Sequence, residues 1–119
     1  MTSKDCIGTY NIIGKNQEDT DLHYSGILTL DVDYNNRISA KWLINKEQVQ
    51  EGVGFFKDNI LVINFRYQGN HDEVYKGVVV YRCLTKDILE GFWSEEYGDQ
   101  KYLGEERCFR VTNEEVILD

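Results

Sequence analysis

The sequence predicts an all-β single domain, an antiparallel up-and-down meander of about eight strands closed into a small barrel. Three observations carry this. Segment after segment alternates apolar and polar residues with a period of two, the period of a half-buried strand. Short polar connections rich in Gly, Asn and Asp separate these segments, and no stretch keeps a helical period. Glycines recur at same-parity spacing from bulky side chains, and strand glycines mark the bends and close approaches that a small closing sheet needs.

The first strand is expected over Cys6–Ile13, with Gly8, Tyr10 and Ile12 on one parity. Gly14–Leu22 is polar and glycine-led, hence a loop. In Tyr24–Val32, Tyr24, Gly26, Leu28 and Leu30 share a face against Ser25, Thr29 and Asp31. Asp33–Asn36 is a turn, because Asn35 and Asn36 tolerate the positive φ of tight hairpins. Arg37–Ile44 points Ile38, Ala40, Trp42 and Ile44 inward. Gln50–Phe56 is a short strand containing Gly52 and Gly54, and Asp58-Asn59 centres the next tight turn. Ile60–Tyr67 alternates Leu61, Ile63, Phe65 and Tyr67 against Val62, Asn64 and Arg66.

Val74–Cys83 and Ile88–Ser94 form a hairpin over Leu84–Asp87, with Gly77 before Val79 and Tyr81, and Gly91 before Trp93. The last strand is expected over Lys101–Val111. Beyond it lies an acidic end, with residues 113–119 a tail expected to fray. Short loops between successive strands make up-and-down order the simplest topology, and closure removes both edges. A two-sheet sandwich is the competing fold.

Tyr-x-Gly recurs at Tyr24–Gly26, Tyr67–Gly69, Tyr75–Gly77 and Tyr102–Gly104. Residues two apart share a strand face, so each strand tyrosine is expected to cover the gap left by its own strand's glycine. Tyr67–Gly69, at a strand end, is expected to serve a turn.

Composition bounds the function. At 119 residues and 41% hydrophobic, the chain is one domain with enough apolar material for a core. Aromatic residues make up 13%, including eight Tyr, and proline is absent, so every interior position can donate its N–H to a ladder. The net charge of −8, from 13 basic against 21 acidic residues with no basic run, disfavours nucleic acid and anionic membrane surfaces as partners. It allows a cationic partner, with a solubilising surface as the simpler reading. No apolar run reaches signal-peptide or membrane-span length. Cys6, Cys83 and Cys108, without CxxC spacing, suit reduced thiols and a cytoplasmic location.

The meander, with Leu89-Glu90-Gly91-Phe92-Trp93 echoing an L-x-G-x-[WY] strand pattern, resembles avidin- and lipocalin-type barrels and small bacterial domains of that shape. The resemblance implies a barrel able to carry a ligand. The polar and tryptophan set of biotin binding has no residue-by-residue counterpart here. Gly8-Thr9-Tyr10 stands where lipocalins carry G-x-W.

Chemical motifs are sparse. His23 and His71 fall in polar stretches and share no ligand spacing. Asp31-Val32-Asp33 opens like a calcium loop but is followed by Asn36 and Trp42 where glycine and glutamate are required. Gly52-Val53-Gly54 lacks the helix of a phosphate loop, and no nucleophile elbow occurs. Neither a cofactor nor a metal is implied.

Glu106 is the informative residue. If Tyr102 and Gly104 point inward, parity sends Glu106 and Cys108 inward, and a carboxyl inside an apolar barrel is a site candidate. The opposite parity, Leu103, Phe109 and Val111, is equally apolar, and a bulge near Gly104 would reverse the assignment.

The expected function is a non-enzymatic binding module holding a small apolar or aromatic ligand. Its lining would be Tyr10, Tyr24, Trp42, Phe65, Tyr75, Tyr81 and Trp93, with Glu106 as polar anchor. The alternative is a packed barrel acting as a protein–protein or homo-oligomer module through Ile27, Leu43, Val53 and Val78 on the outer wall. A barrel cyclase or isomerase using Glu106 as acid or base ranks below both, because no partner residue is identifiable.

Overall fold

The period-two alternation is realised as burial. In the computed structural model, which describes residues 1–112, the chain forms eight antiparallel strands: β1 (Gly8–Lys15), β2 (His23–Val32), β3 (Ile38–Ile44), β4 (Gln48–Lys57), β5 (Ile60–Gln68), β6 (Val74–Cys83), β7 (Ile88–Glu95) and β8 (Gly104–Arg110). Each pairs with its sequence neighbours, and β1 also pairs with β8, from Tyr10 opposite Arg110 to Lys15 opposite Glu105. The ring is therefore a closed up-and-down barrel. The expected tail, residues 113–119, lies outside the described residues.

The turns follow their residues. Asn36, Asp58 and Asn59 adopt positive φ, the backbone state that tight hairpins demand. Asp33 locks the β2–β3 turn, its Oδ1 accepting from the N–H groups of Asn35 and Arg37.

Glycine and aromatic side chains pair across strands, which corrects the same-strand expectation. A methyl on Gly14 would lie 2.2 Å from the Tyr24 ring, one on Gly91 2.5 Å from Tyr81, and one on Gly104 1.9 Å from Trp93. Each of these glycines stands directly opposite the aromatic that covers it. The reason is distance: opposed residues have Cβ positions ~4.5–5.5 Å apart, nearer than residues two apart along one strand. Gly69, in contrast, lies in the β5–β6 turn, where its N–H donates to the Glu73 carbonyl.

The barrel has a packed half and a hollow half. The packed half holds Leu28, Leu30, Ile38, Leu61, Ile63, Leu89 and Cys108, all essentially inaccessible. Burying each aliphatic side chain contributes ~1.5–3 kcal/mol relative to exposure.

This end is plugged by a short 3-10 turn, Ser3–Cys6, which seats Cys6 in the core. Strand β1 accordingly begins at Gly8 rather than at Cys6. The Arg110 guanidinium ties the plug down, donating to the carbonyls of Asp5 and Ile7 and to the Tyr10 hydroxyl at 2.7–2.8 Å. It lies 2.2 Å from where a Gly8 side chain would begin, so β1 starts with a glycine at φ 153°.

The other strand boundaries differ less. Residues Lys101–Leu103 belong to the β7–β8 loop, and β4 is longer than expected at both ends, pairing Gln48 with Ile44 and Lys57 with Ile60. No helix among the described residues is long and apolar enough to cross a membrane.

Candidate functional site

The hollow half of the barrel encloses a cavity of about 280 Å³. Glu106 sits at its floor because β8 keeps strict alternation from Gly104: Gly104, Glu106 and Cys108 are buried, while Leu103 and Phe109 are exposed. No bulge intervenes, and the inward parity holds.

The carboxyl group is the centre of a five-membered polar chain. Tyr81 donates to Glu106 Oε1 at 2.5 Å, and Tyr24 donates to Oε2 at 2.6 Å. Each tyrosine oxygen in turn accepts from an indole N–H: Trp42 to Tyr81 at 3.0 Å, and Trp93 to Tyr24 at 2.9 Å. Indole N–H groups only donate and an ionised carboxylate only accepts, which together set the direction of the four bonds. Each tyrosine spends its one proton on Glu106, and each carboxyl oxygen accepts. The chain draws on β3, β6, β8, β2 and β7 and crosses the interior rather than the sheet. Among the described residues no buried side-chain nitrogen or oxygen lacks a partner.

Two physical effects act on Glu106 in opposite directions. Burial, the larger, raises its carboxyl above the ordinary range, and the two tyrosine hydrogen bonds pull it down. Burial first, and then the neighbouring Glu106, push the Tyr24 and Tyr81 hydroxyls far above their ordinary value, so both remain proton donors.

Three aromatic rings form the walls. Phe65 meets Trp42 edge-on at 6.1 Å and Trp93 edge-on at 6.2 Å, so the three rings make a bent aromatic surface above the carboxyl. Val79 and Ile44 complete the apolar lining. The mouth is polar, with Asn16, Asn45, Gln48 and Gln50 around it. There Tyr67 donates to Glu95 Oε1 at 2.5 Å. Gln17 closes the neighbouring loop over β7, donating to Ser94 Oγ and to the carbonyls of Asp99 and Tyr102.

Of the residues expected to line a site, Tyr24, Trp42, Phe65, Tyr81, Trp93 and Glu106 come together around this cavity. Tyr10 and Tyr75 do not. Tyr10 lies in the plugged half, where its hydroxyl donates to the Cys6 carbonyl. Tyr75 has the inward parity but is exposed near the start of β6, and it stacks on Tyr67 with ring centres 5.3 Å apart. Parity along a strand says which face a side chain takes, but not how deep in the barrel it lies.

The expected lining leaves out Ile44, Tyr67, Val79, Glu95 and the four mouth amides. For Glu95 a signal was present, because it continues the inward series Leu89, Gly91 and Trp93. Comparison with known protein families, with curated proteins and with solved structures finds no match to this chain.

Proposed function

We propose that the protein is a non-enzymatic binding module that holds a small ligand with an apolar or aromatic body in the open half of its barrel. The observation that supports this is the partition of the interior. One half is packed to exclusion, while the other keeps about 280 Å³ under an aromatic wall, above a carboxyl held by two tyrosine hydrogen bonds. That volume of about 280 Å³ lies just below the ~300–1,000 Å³ range of ligand pockets, so the ligand is smaller than drug size. The mixture of apolar walls and a few converging polar groups is the usual make-up of such sites. The up-and-down barrel has the outline of avidin- and lipocalin-type carriers, which adds an analogy of shape only.

Trp42 and Trp93 form two of the walls, so tryptophan fluorescence and melting temperature read occupancy directly. A panel of small aromatic and aliphatic compounds should contain members that raise the melting temperature of the natural chain. They should not raise that of Val79→Trp, in which the wall residue fills the cavity. A response that Val79→Trp leaves unchanged would place binding elsewhere.

A second reading rests on the outer wall. Phe55, Val62, Val80 and Phe92 stand directly opposite one another across β4, β5, β6 and β7. Phe55 and Phe92 are 57% and 46% exposed, and Val53 and Val78 flank the row. This supports self-association of two copies through the barrel wall. Light scattering across a concentration series tests it, with Phe92→Glu expected to keep the chain monomeric.

A further inference from the structure

The charge distribution around the cavity narrows the ligand. Two carboxyl groups line it, Glu106 at the floor and Glu95 at the mouth, and no Lys, Arg or His is among the described lining residues. The ion pairs lie elsewhere: Arg66 meets Glu51 and Arg107 meets Glu90 on the outer surface, and Arg110 is occupied at the plugged end. Glu106 therefore has hydrogen-bond donors but no counter-charge.

Each Glu106 oxygen has accepted one tyrosine hydrogen bond and retains a second lone-pair site. A wholly apolar occupant would strip water from those sites and give nothing back, which is costly for a buried carboxylate. An anion would face like charge from both glutamates. A cation answers both problems, and the indole faces of Trp42 and Trp93 are the best of the aromatic partners for it. A bare metal ion fits poorly, since hard cations take six or more oxygen ligands and no group of three His, Cys, Asp or Glu among the described residues is placed to hold one.

We infer that the ligand is a small organic cation, a protonated amine on an apolar or aromatic body, with Glu106 as its counter-ion and the Trp42–Phe65–Trp93 surface around its body. The inference rests on the binding reading above. Glu95 serves at the entrance, presenting negative charge to an approaching cation, with Tyr67 holding its side chain in place.

The test uses three probes of nearly equal size that differ in charge: phenethylammonium, 2-phenylethanol and phenylacetate. Their affinities for the full chain are measured by calorimetry at neutral pH. Phenethylammonium should bind roughly tenfold or more tightly than 2-phenylethanol, and phenylacetate should not bind measurably. Glu106→Gln, checked for folding by circular dichroism, should lose that preference and bind amine and alcohol alike. The order of the three probes on the natural chain decides the matter even if that variant does not fold. If 2-phenylethanol binds as tightly as the amine, the cation is overturned while the binding cavity stands. If none of the three binds, the cation is overturned as well, and the broader panel with Val79→Trp decides separately whether the cavity binds anything.

Discussion

Tyr81 donates to Glu106 across 2.5 Å and thereby joins β6 to β8, strands that do not pair with each other in the sheet. The same hydroxyl accepts from Trp42 on β3. Three strands thus meet at one oxygen inside the barrel.

Removing that oxygen should be expensive. In Tyr81→Phe, the Trp42 N–H loses its acceptor and Glu106 loses one of its two donors, both in the buried interior. An unsatisfied buried group costs ~1–3 kcal/mol, and more when charged. Urea denaturation should show a loss of about 2–4 kcal/mol relative to the natural chain, and a near-neutral result would contradict the direction of these bonds.

Glu106 should also leave a signature in the pH dependence of stability. Its folded pKa is raised above the ordinary 4.5, chiefly by burial, so between the unfolded and folded values the native state binds more protons than the unfolded one. The resulting contribution is complete below 4.5 and is lost as pH rises through the raised folded value. The slope for one proton is at most ~1.4 kcal/mol per pH unit. The titratable groups facing it, Tyr24, Tyr81 and Cys108, are all raised and do not titrate in this range. Comparing the natural chain with Glu106→Gln from pH 4 upward isolates the effect, and parallel curves would refute it.

The two indoles should differ in depth. Trp42 is 3% exposed, and Trp93 is only partly buried. Trp42→Ala is expected to cost ~3–5 kcal/mol and Trp93→Ala less. Acrylamide should quench the remaining tryptophan of Trp93→Phe poorly and that of Trp42→Phe more efficiently.

Gly54 faces backbone rather than a movable ring. A methyl there would lie 1.9 Å from the Val62 carbonyl oxygen, whereas at Gly77 it would meet the Phe65 ring at 2.4 Å as well as the Ser94 carbonyl oxygen, and at Gly14 only the Tyr24 ring at 2.2 Å. Gly54→Ala should therefore destabilise by about 2–3 kcal/mol or more, read as a fall in melting temperature, and an unchanged melting temperature would contradict this close approach.

All three cysteines are free and buried, and burial raises the Cys108 thiol well above its ordinary value. A thiol reagent should find almost no reactive group in the native chain and three under denaturant. Rapid labelling of the native protein would mean that the plugged end opens.

The strand faces are written in the sequence, whereas depth and cross-strand register are not. Period two showed the strands and their inward faces, because side-chain alternation is a local property of the strand, and the short connections pointed to up-and-down closure. It placed Trp42, Phe65 and Trp93 facing inward, but it could not rank Tyr10 against Tyr24 for depth. Depth depends on the stagger between neighbouring strands, which is a relation between distant segments. The aromatic–glycine contacts failed for the same reason: Trp93 covers Gly104 through the β7–β8 register, which no single strand encodes. The 3-10 turn at Ser3–Cys6 escaped notice because four residues are too few to show a period.

The seam between β1 and β8 has a consequence for how the chain is made. Strand β1 finds its second neighbour only in Gly104–Arg110, nearly the full described length away. Ribosomes extend chains at ~5–20 residues per second, so for several seconds the nascent polypeptide exists as an unclosed sheet with a free flank. A bare strand flank invites pairing with another molecule. The finished ring offers no such flank, and its hazard is confined to birth. Holding nascent chains just short of Gly104 should therefore leave them protease-sensitive and prone to association, and release of the last strand should end both.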